Sequence, residues 1–384
     1  MGNRVSIRSF RGARGGAEHF ISVEAPAILG LGDQIGFVEA RYAEARDSLG
    51  LAPETALFRR IFVSDAINQA APIRESGLFG EPSESPVAVS IVQQPPLPDS
   101  KLALLAYHVA SDAPVSKHRL SPKHLLVEKS GLTHLWSTRL CAGAYGSSAS
   151  VAAQTREVFG DLIGVLSGQG GTLRDHCVRT WIYLKNVDVF YQGMVESRSE
   201  LFAQHGLTKD THYIASTGIE GACAHRYDLV AMDAYSILGL APRQMSHLND
   251  LERLCPTADY NVTFERGTRI AYADRSHYFI SGPASIDNAG RVVHPGDVVR
   301  QLERALENVD ALLRSGSAAL DDMMYLTVYL RDPTDLARVD GYLSERFPRL
   351  PTVIVHAAVC RPEWLIEVEG VAITANNDPT LSAF

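Results

Sequence analysis

Two carboxylates, Glu367 and Glu369, sit inside the apolar run Leu365-Ile-Glu-Val-Glu-Gly-Val-Ala-Ile373 near the end of the chain. Burying an ionised carboxylate in a strand is costly unless it has a partner or a task. Glu367 is therefore either a proton-handling group or half of a salt bridge, with Arg226 or Arg361 as candidate partners. Burial between packed units disfavours the charged form, which raises the pKa towards the range where a carboxyl group can give and take protons near neutrality. Such a group suits proton delivery to an enol ether, a carbonyl or a leaving hydroxyl. Glu369 has the same strand parity and points to the same face, as the second member of a carboxylate pair or as a solvated strand end. Cys360, seven residues before Glu367, is either a nucleophile or a small soft wall, and only Arg361 beside it could lower its pKa.

Further groups suit substrate binding. Arg361 and Arg198 can each hold a carboxylate through two parallel hydrogen bonds. Ser216 and Thr217 offer hydroxyls, and Gly218 permits close approach of a ligand to backbone. Trp364, Tyr183 and Tyr329 read as core or pocket wall, and His356 as a proton relay or a satisfied core residue. No glycine-rich phosphate fingerprint and no metal-ligand spacing is present, since Ser167-Gly-Gln-Gly-Gly171 reads as a helix end, so neither a cofactor nor a metal is expected.

The elements that must position these groups recur. Three stretches repeat helix, basic-starting strand, then a closing hairpin. In the first, Gln34–Leu49 reads as helix and Leu57–Asp65 as strand, with Val87–Val92 and Leu102–Val109 as the hairpin; its second helix is replaced by the Pro/Gly-rich Ala71–Pro86. The second has helices at Ala149–Ser167 and Val189–His205, the strand His176–Leu184, and a hairpin from His212–Gly218 and Asp228–Ile237. The third opens on the strand Tyr278–Ile286. Its Gly296–Ser315 carries an apolar stripe of helical period, and the strand Met323–Arg331 and helix Leu336–Phe347 follow. A hairpin turning at Arg361-Pro-Glu363 closes it. Phe62, Tyr183 and Tyr329 are equivalent strand aromatics, and Leu238–Tyr260 reads as an inserted linker or lid. The fold expected is α+β, with modules at 1–125, 126–240 and 241–384. Each sheet has one face covered by helices, so the other faces must cover one another around a pseudo-threefold axis. An unrelated first domain is the alternative.

The chain of 384 residues carries a net charge of −8 and has no Lys/Arg cluster, which argues against nucleic acid as a partner. Five cysteines without C-x-x-C spacing fit a reducing cytoplasm. No signal-like start and no long apolar run are found, so no membrane partner is expected. The partner expected is a small-molecule substrate, and the chain is either a monomeric pseudo-trimer or a homo-oligomer.

The third unit resembles the Rid (YjgF) superfamily through Phe279-Ile-Ser-Gly-Pro-Ala-Ser285, Val293-His-Pro-Gly-Asp-Val298, Leu306-Glu-Asn-Val309, Tyr325-Leu-Thr-Val-Tyr-Leu330 and Trp364-Leu-Ile-Glu-Val-Glu-Gly370. That resemblance implies a chorismate-mutase-like fold with ligand pockets in the clefts between units. The simple Rid imine deaminases hold the substrate carboxylate with an Arg near the start of a closing strand. Here Pro351-Thr-Val-Ile354, Ser216-Thr-Gly218 and Pro86-Val-Ala-Val89 lack it, so deamination would need an Arg from another module. The whole layout is more similar to the chorismatases, which cleave the enolpyruvyl ether of chorismate to pyruvate and a dihydroxycyclohexadiene or hydroxybenzoate. Ala215-Ser-Thr-Gly-Ile-Glu-Gly221 matches their A-T-G-I-G stretch and Glu367 their catalytic Glu, while Cys360 falls where the hydroxybenzoate-forming branch has a Cys. Asn261–Gly267 departs from their Tyr-Gly-Pro-containing segment, which implies a sister group with different chemistry. The resulting expectation is a cofactor-independent cyclase, aromatase or lyase of secondary metabolism, including aromatic-alkaloid ring formation, with chorismatase as the alternative. Imine deamination and non-catalytic metabolite binding complete the set.

Overall fold

A computed structural model describes all residues except 1–3, 15, 81–84, 143–149 and 258–261. The first sheet is built from β1 (Val5–Arg11), β2 (Ala17–Glu24), β3 (Ala56–Val63), β4 (Ala88–Gln93) and β5 (Leu102–Ala110), with helices α1 (Leu31–Ser48) and α2 (Ala66–Arg74). The second contains β6 (Ser116–Ser121), β7 (His124–Lys129), β8 (Leu132–Cys141), β9 (Cys177–Leu184), β10 (Ala215–Glu220) and β11 (Val230–Leu238). Its helices are α3 (Val151–Gly168), the single turn α4 (Leu173–His176) and α5 (Val187–Gln204). The third comprises β12 (Met245–His247), β13 (Gly267–Ala271), β14 (Arg275–Ile280), β15 (Met323–Leu330), β16 (Thr352–His356) and β17 (Ile366–Ala375), with α6 (Val298–Ser315) and α7 (Leu336–Arg346).

The strand orders β1-β2-β5-β3-β4, β10-β9-β11-β8-β7-β6 and β12-β13-β14-β17-β15-β16 superpose as one pattern used three times. In each, the strand before a crossover helix pairs in parallel with the strand after it, and the long return strand pairs antiparallel on the other side. The three closing hairpins expected from the sequence are therefore not hairpins. β16 and β17 are separated by β15, just as β9 lies between β10 and β11 and β3 between β4 and β5. The cause is the crossover helix, because strands joined in that way lie parallel and adjacent, so the return strand must take the free edge.

Three further expectations change. α2 does form in the first module, with Pro72 inside it and Asp65 accepting a hydrogen bond from the Asn68 amide as its N-cap; residues 81–84 of Ala71–Pro86 lie outside the described residues. Most of Leu238–Tyr260 is built in rather than a lid: β12 adds an edge strand to the third sheet, and Leu248, Leu254 and Cys255 are buried; residues 258–260 lie outside the described residues. β6 pairs with β7, so the second sheet starts at Ser116, ahead of the division between 125 and 126.

The modules bind one another through their edge strands. Gln93 bridges Ala222, Ile219 bridges Val359, and Val355 bridges Pro96, so each closing strand pins the loop of the next module. One apolar core runs through all three, with Phe20, Phe58, Trp136, Trp181, Tyr235 and Phe279 from the helix-free sheet faces meeting at the middle. Separate clusters fill the helix-covered sides of the first and second modules. No helix among the described residues is long and apolar enough to cross a membrane.

A buried ionic knot ties the three modules. Glu369 of the third module receives Arg179 Nη2 at 2.6 Å, Thr217 Oγ1 at 2.6 Å and Trp181 Nε1 at 2.9 Å, all from the second. Arg60 of the first module lies 3.6 Å from Glu369 and 3.2 Å from Asp233, which also accepts the Tyr183 hydroxyl. With the acids set against it, Arg60 is held charged above the usual guanidinium range despite its burial.

Candidate active site

The cleft between the second and third modules gathers most of the residues singled out from the sequence. α5 contributes Tyr191 and Arg198, β10 contributes Ser216 and Gly218, and Cys360, Arg361, Trp364 and Glu367 face them from the third module. The cleft is narrow, ≈ 550 Å³ of non-atom space with its open mouth counted in.

β17 pairs Glu367 opposite Tyr329 on one side, and Ala284 bridges Glu367 on the other. Between the β14 pair Ile280–Gly370 and the Ala284–Glu367 bridge, the β14 side spends four steps against three on β17. The extra residue falls between Ile280 and Ala284, the stretch that brings Gly282 against the carboxyl group. Gly282 has φ +80°, and a Cβ there would lie 2.4 Å from Glu367 Oε1. Gly282→Ala is accordingly expected to displace the carboxyl group and lower turnover by about 10- to 100-fold, measured by steady-state kinetics at unchanged substrate.

Glu367 is 5 % exposed, and none of the described residues gives its carboxyl group a hydrogen bond or an ion pair. Burial, and then the negative charge of Glu369, push its pKa well above the usual carboxylate range, against the smaller pull of Arg179 and Arg266. Burial thus favours the neutral acid over the carboxylate at this position. The salt-bridge alternative finds no support here, since Arg361 instead donates to the Gly290 carbonyl and covers the Trp364 ring at 4.8 Å.

Arg198 is 2 % exposed, and Nη2 has no hydrogen-bond partner among the described residues. Its Nε donates to Thr263 Oγ1 at 3.3 Å, and burial draws its pKa down. No carboxylate pairs with it among the described residues, so a guanidinium edge is left for a ligand carboxylate across the cleft from Glu367. Ser216 Oγ accepts from Thr180 Oγ1 at 2.8 Å, which orients its own hydroxyl proton elsewhere. Gly218 lets the Tyr191 ring lie close, because a Cβ would meet Tyr191 Cε2 at 3.1 Å.

Two residues expected at the site are elsewhere. Thr217 and Glu369 belong to the sealed ionic knot, where each satisfies the other. Thr217 alternates away from Ser216 and Gly218 along β10. Glu369 keeps the parity of Glu367 but lies two residues deeper, under the second module's Arg179 and Trp181. Cys360 does line the cleft, half-buried, but burial and then Glu367 push its thiol up to about 12. Trp364 is wall, Tyr183 and Tyr329 are core, and His356 is exposed.

Sequence reasoning missed Tyr191, Gly282 and Arg266. Tyr191 was available as the helical neighbour seven positions before Arg198, and Gly282 stood inside a quoted motif without a role. Arg266 had no such signal, because only the fold of the 262–266 segment turns it to the cleft. Among the described residues no group of three or more His, Cys, Asp or Glu is arranged to hold a metal ion.

Comparison with known proteins places this geometry. Residues 268–374 match the model of the Endoribonuclease L-PSP family. A RutC family protein of Pyrococcus abyssi is 34 % identical over 96 residues, covering 24 % of this chain and 76 % of the relative. The chain belongs to the Rid (YjgF) superfamily. Longer likenesses show that this Rid chain is a tandem-module member related to chorismatases. A 3-hydroxybenzoate synthase of Streptomyces hygroscopicus is 26 % identical over 271 residues, covering 64 % of this chain and 77 % of that protein. A chorismatase of Streptomyces rapamycinicus is 29 % identical over 246 residues, covering 58 % and 70 %. A chorismatase crystal structure superposes with a TM-score of 0.62 at 18 % identity, over 97 % of this chain and 99 % of that one, so the two folds are the same. Only the third of the three Rid modules carries the acid. By the registers Ala231↔Tyr183 and Ala103↔Phe62, the positions equivalent to Glu367 are alanines.

Proposed function

We propose that the chain is a cofactor-independent enzyme of secondary metabolism that protonates a small unsaturated ring carboxylate in the cleft between the second and third modules. The observation that carries this reading is the buried carboxyl group of Glu367 in one cleft with the Arg198 guanidinium, whose Nη2 has no partner, and neither has an ionic partner among the described residues. One group can hold a substrate carboxylate while the other delivers a proton. The chorismatase and 3-hydroxybenzoate synthase likenesses support chorismate as the first substrate to offer.

In that reaction the Glu367 proton adds to the terminal methylene of the enolpyruvyl group, whose double-bond pair forms the new C–H bond. The ether oxygen stabilises the cation left behind, and water adds to it. The hemiketal then expels the ring alcohol as pyruvate forms, and a proton from the added water restores Glu367. Overall, one water is consumed for each ether cleaved. The step is a net hydrolysis with no change of oxidation state.

A second reading, cyclisation or aromatisation of a different unsaturated ring substrate, is favoured by Val262, Phe264 and Arg266. These line the cleft from the segment that departs from the chorismatase pattern. The same acid would then protonate a carbonyl or a leaving hydroxyl.

The test is the pH dependence of pyruvate release from chorismate. The protonated form of Glu367 is the active one and its pKa is raised, so kcat/KM should stay level above pH 4.5. It should then fall about tenfold per pH unit once pH passes the raised pKa. Activity that instead rises with pH through the carboxylate range would refute the acid. Turnover of other ring substrates without pyruvate would favour the second reading. Cys360→Ala separates wall from nucleophile: with the thiol at about 12, on the order of one part in 10⁵ is thiolate at pH 7. Total turnover should change by less than about tenfold, and any shift should be in product ratio.

A further inference from the structure

The segment 262–266 joins the two sides of the cleft that holds Glu367. Val262, Phe264 and Arg266 line the cleft, while the intervening Thr263 and Glu265 bond to the second module. Glu265 fixes the segment in place: its amide donates to the Ile214 carbonyl at 3.0 Å, and its Oε1 accepts from the Tyr213 amide at 2.7 Å. Thr263 is thereby set beside α5, with its hydroxyl oxygen 3.3 Å from Arg198 Nε and 3.1 Å from Ser199 Oγ.

These hydrogen bonds run in one direction. A hydroxyl has one proton to give and two lone pairs to offer. Ser199 gives its proton to the Val195 carbonyl one helical turn back, at 2.8 Å. The Thr263 proton therefore goes to Ser199 Oγ, which turns a Thr263 lone pair towards the Arg198 Nε–H. Among the described residues Thr263 is the only hydrogen-bond partner of that guanidinium, and the Phe202 ring lies 5.7 Å from it. A guanidinium is a planar fork, so fixing Nε fixes the plane of both terminal nitrogens. Nη2, buried and without a partner among the described residues, is held in that plane.

We propose, resting on the function inferred above, that Thr263 is a positioning residue that orients the Arg198 guanidinium for the substrate's ring carboxylate. Thr263 belongs to the third module and Arg198 to the second, so carboxylate binding depends on how the two modules dock. Thr263 also lies in 261–267, the stretch that departs from the chorismatase pattern.

The test is calorimetric titration of the full chain with benzoate, with benzamide as the neutral control, beside the kinetics of pyruvate release from chorismate. The wild type should bind benzoate and prefer it to benzamide. Thr263→Val keeps the shape but removes the acceptor, and should weaken benzoate binding about tenfold while leaving that of benzamide unchanged. KM should rise by about the same factor while kcat stays within about threefold, because Glu367 is untouched. Thr263→Ser keeps the hydroxyl and should restore both values to within about threefold of the wild type. Without pyruvate release, the benzoate arm decides alone. Unchanged benzoate affinity in Thr263→Val, or a Thr263→Ser as impaired as Thr263→Val, overturns the role of Thr263. Loss of benzoate in Arg198→Gln would then leave the proposed function standing. No preference for benzoate over benzamide in the wild type would instead remove Arg198 as a carboxylate site, and the function with it.

Discussion

Replacing Glu367 by Gln is expected to lower kcat by about 10²–10⁴-fold while leaving substrate affinity within a few-fold. The glutamine keeps the shape and the hydrogen-bonding capacity of the neutral acid but has no proton to transfer. Because Glu367 makes no hydrogen bond or ion pair with the described residues, the change removes no structural contact. Stability should hold or rise slightly, since a buried group that resists ionisation is replaced by one that never ionises. Single-turnover rates and ligand titrations on the same preparation separate the two effects. A variant that binds and still turns over would remove Glu367 from the chemistry.

The largest stability effect is expected at the knot where the modules join. Arg179→Met leaves Glu369 buried at 1 % exposure with its 2.6 Å partner gone. Breaking one side of a buried pair typically costs about 3–5 kcal/mol, because the remaining charge is neither solvated nor matched. Arg60, at 3.6 Å, compensates only in part. The double change Arg179→Met with Glu369→Leu should recover much of the loss, since removing both charges also removes the desolvation cost. Chemical denaturation of the wild type, the single variant and the double variant measures this directly. A single variant as stable as the wild type would mean that the knot does not hold the modules together.

Much of this architecture was legible in the sequence because it is written three times. The apolar stripe of α6, the equivalence of Phe62, Tyr183 and Tyr329, and the strand aromatics around them are local patterns, and local patterns survive folding. Strand neighbours were not legible. Val353 and Ile366 look like the two arms of a hairpin, but which strand lies between them depends on the path of the crossover helix. Glu367 stood out because a carboxylate in an apolar strand has few reasons to be there. Strand parity then wrongly grouped Glu369 with it. Parity gives the face of a strand but not how far along it the next module reaches, and two residues of depth separate an open cleft from a sealed ion pair. Pro72 hid α2 for the opposite reason: a residue that usually ends a helix was tolerated inside a short one.

The coupling between the knot and the site follows from the same geometry. Glu369 raises the pKa of Glu367 from behind, and Arg179 works the other way. Burial remains the largest cause, and the two members of the ion pair that joins the modules pull the acid in opposite directions.

Infrared difference spectroscopy of the wild type against Glu367→Gln, recorded across pH, tests that state most directly. The account predicts a protonated carboxyl band from Glu367 that persists at pH values well above 4.5 and shifts when a ring carboxylate enters the cleft. A band that has already vanished by pH 4.5, or one that ignores the ligand, would contradict it.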